Sequence, residues 1–124
     1  MAELIEFDNL FNESYPKAKR YLTLKSGEVL TRGMAVGKQT SDDKLVAYTD
    51  AGKSTAPFFG ISPADYDASD AAIDGVEIVT GCEVNENAIV FQESTDSATE
   101  AFIEAARLKG VHIVPFISGA VATA

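Results

Sequence analysis

Between Arg20 and Phe91 the chain is cut into short apolar runs, each closed by a glycine or a polar turn before a helix could form. That punctuation points to strands and turns. RYLTL alternates and is followed by the turn SGEV. VLTRGMAVGKQ reads as one strand, with Gly33 and Gly37 as bulges or points of close approach. KLVAYT places an apolar residue at every second position, DAGKS turns the chain, and APFFGI resumes it at Pro57. SPADYDASDAAIDG reads as a long polar loop. VEIVTGCEV, rich in β-branched residues, is the strongest strand signal of the chain.

Only STDSATEAFIEAARLKG has helical spacing. Ser97 and Glu100 stand at capping-box distance. Ala98, Ala101, Phe102, Ala105 and Leu108 then form an apolar stripe. Arg107 and Lys109 occupy the last turn, where cations suit the helix dipole, and Gly110 fits the position beyond it. VHIVPF is a closing strand. Short strands with a single late helix predict a mainly β, barrel-like or sandwich domain. A chain of 124 residues is long enough to bury one core.

Ahead of this pattern, residues 1–16 read as a separate extended arm, and residues 17–124 as a single β-rich domain. In the arm Leu4, Ile5, Phe7, Leu10, Phe11 and Tyr15 alternate with acids and Asn, and Pro16 separates it from the domain. So much apolar surface in a free terminus calls for a partner.

Chemical motifs are weak throughout. Gly52-Lys53-Ser54 is the tail of a phosphate-binding loop, but Ala47 stands where the first glycine belongs. Pro57 forbids the helix whose amides would hold a phosphate. The stretch is expected to be a turn. Asp65, Asp67 and Asp70 lack the spacing and the bidentate Glu of a calcium loop. His112 is the single histidine and sits in an apolar strand, so no metal site is expected. Cys82 lies in the best strand as a small buried group; as the single cysteine it excludes an internal disulfide. Glu83 and Glu86 could pair for acid–base work, but no pocket accompanies them. The expectation is a protein without catalytic residues, metal or cofactor.

The net charge is −9, and from Ser54 to Ala106 there are eleven Asp or Glu and no Lys or Arg. Binding to phosphate backbones needs the opposite balance, so nucleic acid is not an expected partner. No apolar run is long enough to cross a bilayer, and MAELIEFDNLF lacks the basic start of a signal peptide. A soluble protein made in a reducing compartment is expected.

The pieces, taken in order, resemble a known family. Gly27, Leu30, Arg32, Gly33 and Gly37 match a first-sheet pattern, Gly60-Ile61 a strand end, and Gly81 with Asn85-Glu86-Asn87-Ala88 a strand and turn. Gly110 to Ile113 match a closing strand. Over about residues 20 to 114 the chain resembles the head decoration proteins of tailed phages related to lambda protein D.

The resemblance implies a β-clip fold and no enzyme activity. It implies homotrimers on the outside of an expanded capsid head, at three-fold and quasi-three-fold positions, holding major coat protein subunits against DNA pressure. Synthesis would be in the host bacterial cytoplasm. The arm would add a strand to the coat protein, with Leu4, Ile5 and Phe7 setting register. Glu3, Glu6, Leu10, Phe11 and Tyr15 complete the expected capsid-binding set. The arm's acids (Glu3, Glu6, Asp8, Glu13) would call for basic or amide-rich coat surface. The rival expectation is another trimeric β-rich virion module, associated with the tail or a receptor. An enzyme is disfavoured for want of a polar cluster.

Overall fold

The computed structural model describes residues 10–115. Its strands are β1 (Ala18–Leu24), β2 (Val29–Leu30), β3 (Ala35–Lys38), β4 (Leu45–Ala47), β5 (Phe58–Ile61), β6 (Tyr66–Asp67) and β7 (Ile73–Asn85). A 3-10 turn (Glu86–Ala88), helix α1 (Glu100–Leu108) and strand β8 (Val111–Val114) complete the chain. The domain is mainly β, as the punctuated pattern predicts.

Five strands close a small barrel in the order β1-β4-β3-β5-β7, with β7 returning to pair with β1. β7 is long enough to serve two partners. Its first part runs antiparallel to β1, from Ile73 opposite Leu24 to Gly81 opposite Ala18. Its last part, Cys82–Asn85, carries β8 in parallel. β2 and β6 form a separate two-stranded ribbon, so part of the expected polar loop is strand.

Two apolar clusters follow from this layout. Leu24, Leu30, Val36, Leu45, Val76 and Ile78 fill the barrel. Tyr48, Phe58, Val79, Cys82, Val84, Phe102 and Val111 lie in the second cluster, which includes the helix. Phe102 is the hub there, with ring centroids 5.1 Å from Phe58 and Phe91 and 5.3 Å from Tyr48. Tilted and edge-to-face pairs of this kind add about 0.5–1.5 kcal/mol each beyond burial.

The expected helical stripe is rotated. α1 buries Phe102 and Ala106, with Ala98 packed beside them just ahead of the helix. Ala101 and Ala105 face outward, and Leu108 is 72% exposed. Phe102 is the largest apolar group of the segment, and once it enters the aromatic cluster the 98–102–106 row must follow it. The cap also differs: Thr99, not Ser97, accepts the Phe102 N–H at 3.2 Å.

The single strand expected from Val29 to Gln39 is split at Gly33, whose φ of +89° sends the chain out of strand geometry. Gly37 is a close approach, since a Cβ there would stand 2.6 Å from the Ala56 carbonyl oxygen. Ala47–Thr55 ends in a turn in which the Ala56 N–H donates to the Gly52 carbonyl at 2.9 Å, and β5 follows.

Candidate functional site

The most distinctive local structure lies where the chain enters the domain. Of the arm expected over residues 1–16, Glu3, Leu4, Ile5, Glu6 and Phe7 lie outside the described residues. Leu10 and Phe11 are inside them, and both belong to the core at 4% and 3% exposure. Apolar burial therefore begins well before Pro16.

Residues 10–12 lie along β7 as an added antiparallel stretch. Phe11 bridges Val84. The Asn85 N–H donates to the Leu10 carbonyl at 2.9 Å, and the Asn12 N–H to that of Glu83 at 3.0 Å. The Asn12 amide also donates to the Glu83 carboxylate at 2.6 Å. Phe11 lies beneath two cations, Lys17 Nζ at 5.3 Å and the Arg32 guanidinium at 5.8 Å from the ring centre. Arg32 is itself fixed by a bond to the Pro63 carbonyl. Lys17 pairs with Glu13 at 2.8 Å.

The turn after this stretch is set by Asn12, whose side-chain oxygen accepts the Ser14 N–H at 3.0 Å and whose carbonyl accepts the Tyr15 N–H at 3.1 Å. That turn lays the Tyr15 ring against His112, centroids 5.7 Å apart. Tyr15, Glu83, Ile103, Arg107, His112 and Val114 line a shallow cavity of about 280 Å³. Glu83 is engaged by Asn12 and Glu86 lies in the 3-10 turn, so the two are not brought together as an acid–base pair.

Asn85 is the junction. It is buried, it accepts the Asn87 N–H at 3.1 Å, and Val114 of β8 is its register partner on the other side. Asn87 in turn donates to the Pro115 carbonyl at 3.1 Å. The two ends of the described chain, Leu10 and Pro115, therefore stand on either flank of one residue pair. Asn85 and Asn87 read in the sequence only as a turn; their role depends on two segments distant along the chain.

Burial pushes the Cys82 thiol up to about 12, with nearby Lys17 pulling weakly the other way. It is a core group in the neutral form. Among the described residues no group of three or more His, Cys, Asp or Glu is placed to hold a metal ion. What this region can do is hold an entering segment in strand conformation at the domain's edge.

The family model of the bacteriophage lambda head decoration protein D matches residues 6–113. The chain belongs to that family. A search of curated proteins returned no match. As a head decoration protein it is a structural component of the phage head, and the mainly β barrel with its late helix agrees with the fold its motifs imply.

Proposed function

We propose that this decoration protein binds as a homotrimer to the outside of the expanded head at three-fold positions, where it stabilises the coat lattice against the pressure of packaged DNA. Residues 1–9, with Glu3, Leu4, Ile5, Glu6 and Phe7, are the segment that adds a strand to the coat protein. The observation that supports this is the backbone pairing of Leu10 and Asn12 with β7. A segment that enters the domain already in strand conformation loses less entropy when it extends a strand onto a partner. Leu10 and Phe11 act as the anchor that fixes its direction, and Tyr15 buttresses the turn behind it.

One such segment gains little by itself. Three on one trimer act through effective concentration when the lattice presents three equivalent coat surfaces.

The test is a titration onto expanded, undecorated heads, counting bound copies per coat subunit. Removing residues 1–9 leaves the Leu10 and Phe11 packing in place, so the truncated protein is expected to keep its fold. Saturation near one copy per coat subunit, abolished by that truncation, is the expected result. A folded full-length protein that leaves the heads bare overturns the reading and shifts attention to tail or receptor-associated partners.

A further inference from the structure

One mouth of the barrel is basic and aromatic in an otherwise acidic protein. Arg20 of β1 is the register partner of Ile78, and Lys38 of β3 is the register partner of Leu45. Partners across a ladder share a face, and Ile78 and Leu45 both belong to the barrel's interior cluster. The two cations therefore lean over the same opening. They meet at Phe59 of β5, with Arg20 5.8 Å and Lys38 5.4 Å from its ring centre. Phe59 is only partly buried. Lys38 and Phe59 also line an adjoining groove of about 310 Å³ together with Thr40, Asp43, Pro57 and Lys109.

These charges are poorly neutralised. Lys38 has Asp43 at 3.4 Å, an exposed partner. Among the described residues Arg20 and Lys109 have no carboxylate partner. Two like charges on one ring, open to solvent and next to an apolar floor, make a receptor for a carboxylate carried on a peptide segment.

The complementary surface is at the other end of the same ladder. Asp65, Asp67, Asp70 and Asp74 are all exposed. Asp74 is held by the Thr23 hydroxyl at 2.9 Å, one residue from the Leu24–Ile73 pair. Ile78 and Ile73 are five positions apart on β7, so the acidic end lies roughly 17 Å along the strand from the basic mouth. The Arg32 backbone N–H caps Asp65 at 2.8 Å.

We propose that the mouth formed by Arg20, Lys38, Phe59 and Lys109 receives the Asp65–Asp74 loop of a second copy of this chain. A contact between two different patches on one molecule is head-to-tail, and such contacts close into a ring when the rotation permits. The contact rests on the trimer reading above and names the surfaces that would build it.

The experiment is analytical ultracentrifugation of the full-length protein at low and high salt. Three variants accompany it: Arg20→Glu with Lys38→Glu, Asp70→Lys with Asp74→Lys, and all four changes together. Circular dichroism checks that each is folded, and Arg20→Gln with Lys38→Gln replaces the first pair if the reversal unfolds the barrel. The wild type is expected to self-associate more weakly as salt rises. Each reversed pair should weaken association by about tenfold or more, and the fourfold change should restore most of that loss.

A reversed pair without effect, or a fourfold change without recovery, overturns the contact. So does association that disappears on removing residues 1–9, which would make that acidic segment the occupant instead. A wild type that is monomeric in solution, with reversed-pair variants that saturate heads as well as it does, overturns this contact and leaves the decoration reading standing. One that associates as expected but leaves heads bare does the reverse.

Discussion

Asn85 donates its N–H to the Leu10 carbonyl at 2.9 Å and pairs on its other flank with Val114. One residue near the end of the longest strand thus orders both ends of the described chain. The arrangement depends on β7 outrunning the barrel: its last four residues project past β1 and need cover on both sides. Residues 10–12 supply one side and β8 the other. Backbone groups that would otherwise form two exposed strand edges are paired, and a terminal segment gains a fixed point of departure.

The aromatic cluster should dominate stability. Phe102→Ala removes the ring that touches Tyr48, Phe58 and Phe91, and is expected to cost about 3–5 kcal/mol. Leu108→Ala, near the end of the same helix, changes a side chain that is 72% exposed and should stay within about 0.5 kcal/mol. Urea unfolding of the two variants measures both. Equal losses would mean that α1 packs through the other face.

Gly33 resists a side chain on two counts, its dihedral and its surroundings. Its φ is +89°, and a Cβ would stand 2.7 Å from the Ala88 carbonyl oxygen and 3.4 Å from Leu10. Gly75 has a φ of +70° with nothing near. Gly75→Ala should therefore cost only the conformational penalty, about 1–2 kcal/mol. Gly33→Ala adds a backbone collision where the Leu10 side chain packs, and should cost clearly more. Comparable losses at the two sites in denaturant melts would show that the collision relaxes freely.

The strands are legible in the sequence because their apolar residues alternate and glycine or proline marks their limits. Features that depend on distant partners are not. Tyr66-Asp67 sits in an acid-rich stretch with no strand signature, and becomes β6 only because Leu30 and Val29 lie opposite. The helix is legible in its place along the chain but not in its rotation, since Ala98, Ala101 and Ala105 are interchangeable to a periodicity count. Only the position of the Tyr48 and Phe58 rings decides which face turns inward. Leu10 and Phe11 read as part of an arm because Pro16 punctuates the sequence after them. Nothing local announces that Phe11 will find Val84, Lys17 and Arg32.

Helix initiation separates the two capping candidates. Thr99 accepts the Phe102 N–H through its hydroxyl, whereas Ser97 offers α1 only a residue of the preceding loop. Thr99→Ala should destabilise the domain by about 1 kcal/mol. Ser97→Ala should leave the denaturation midpoint almost unmoved. The opposite ranking would place the start of the helix two residues earlier.

The buried thiol gives a test with a defined pH window. Burial raises the Cys82 pKa from 9.0 to about 12, so the folded chain keeps a proton that the unfolded chain releases above pH 9. The thiol's contribution is then complete below pH 9 and declines as pH rises toward 12, by about 1.4 kcal/mol per unit at most. Alkali destabilises the whole molecule through other groups as well, and Cys82→Ala serves as the reference because those groups are common to both proteins. The stability advantage of wild type over Cys82→Ala should hold constant from pH 7 to about 8.5 and shrink between about pH 9 and 10.5. In parallel, a thiol-specific dye at pH 8 should label native protein slowly and urea-unfolded protein at once, since the thiolate is both scarce and covered in the fold. Rapid labelling of the native state, with a stability difference that ignores pH, would place Cys82 at an accessible edge of β7 and not beneath the helix.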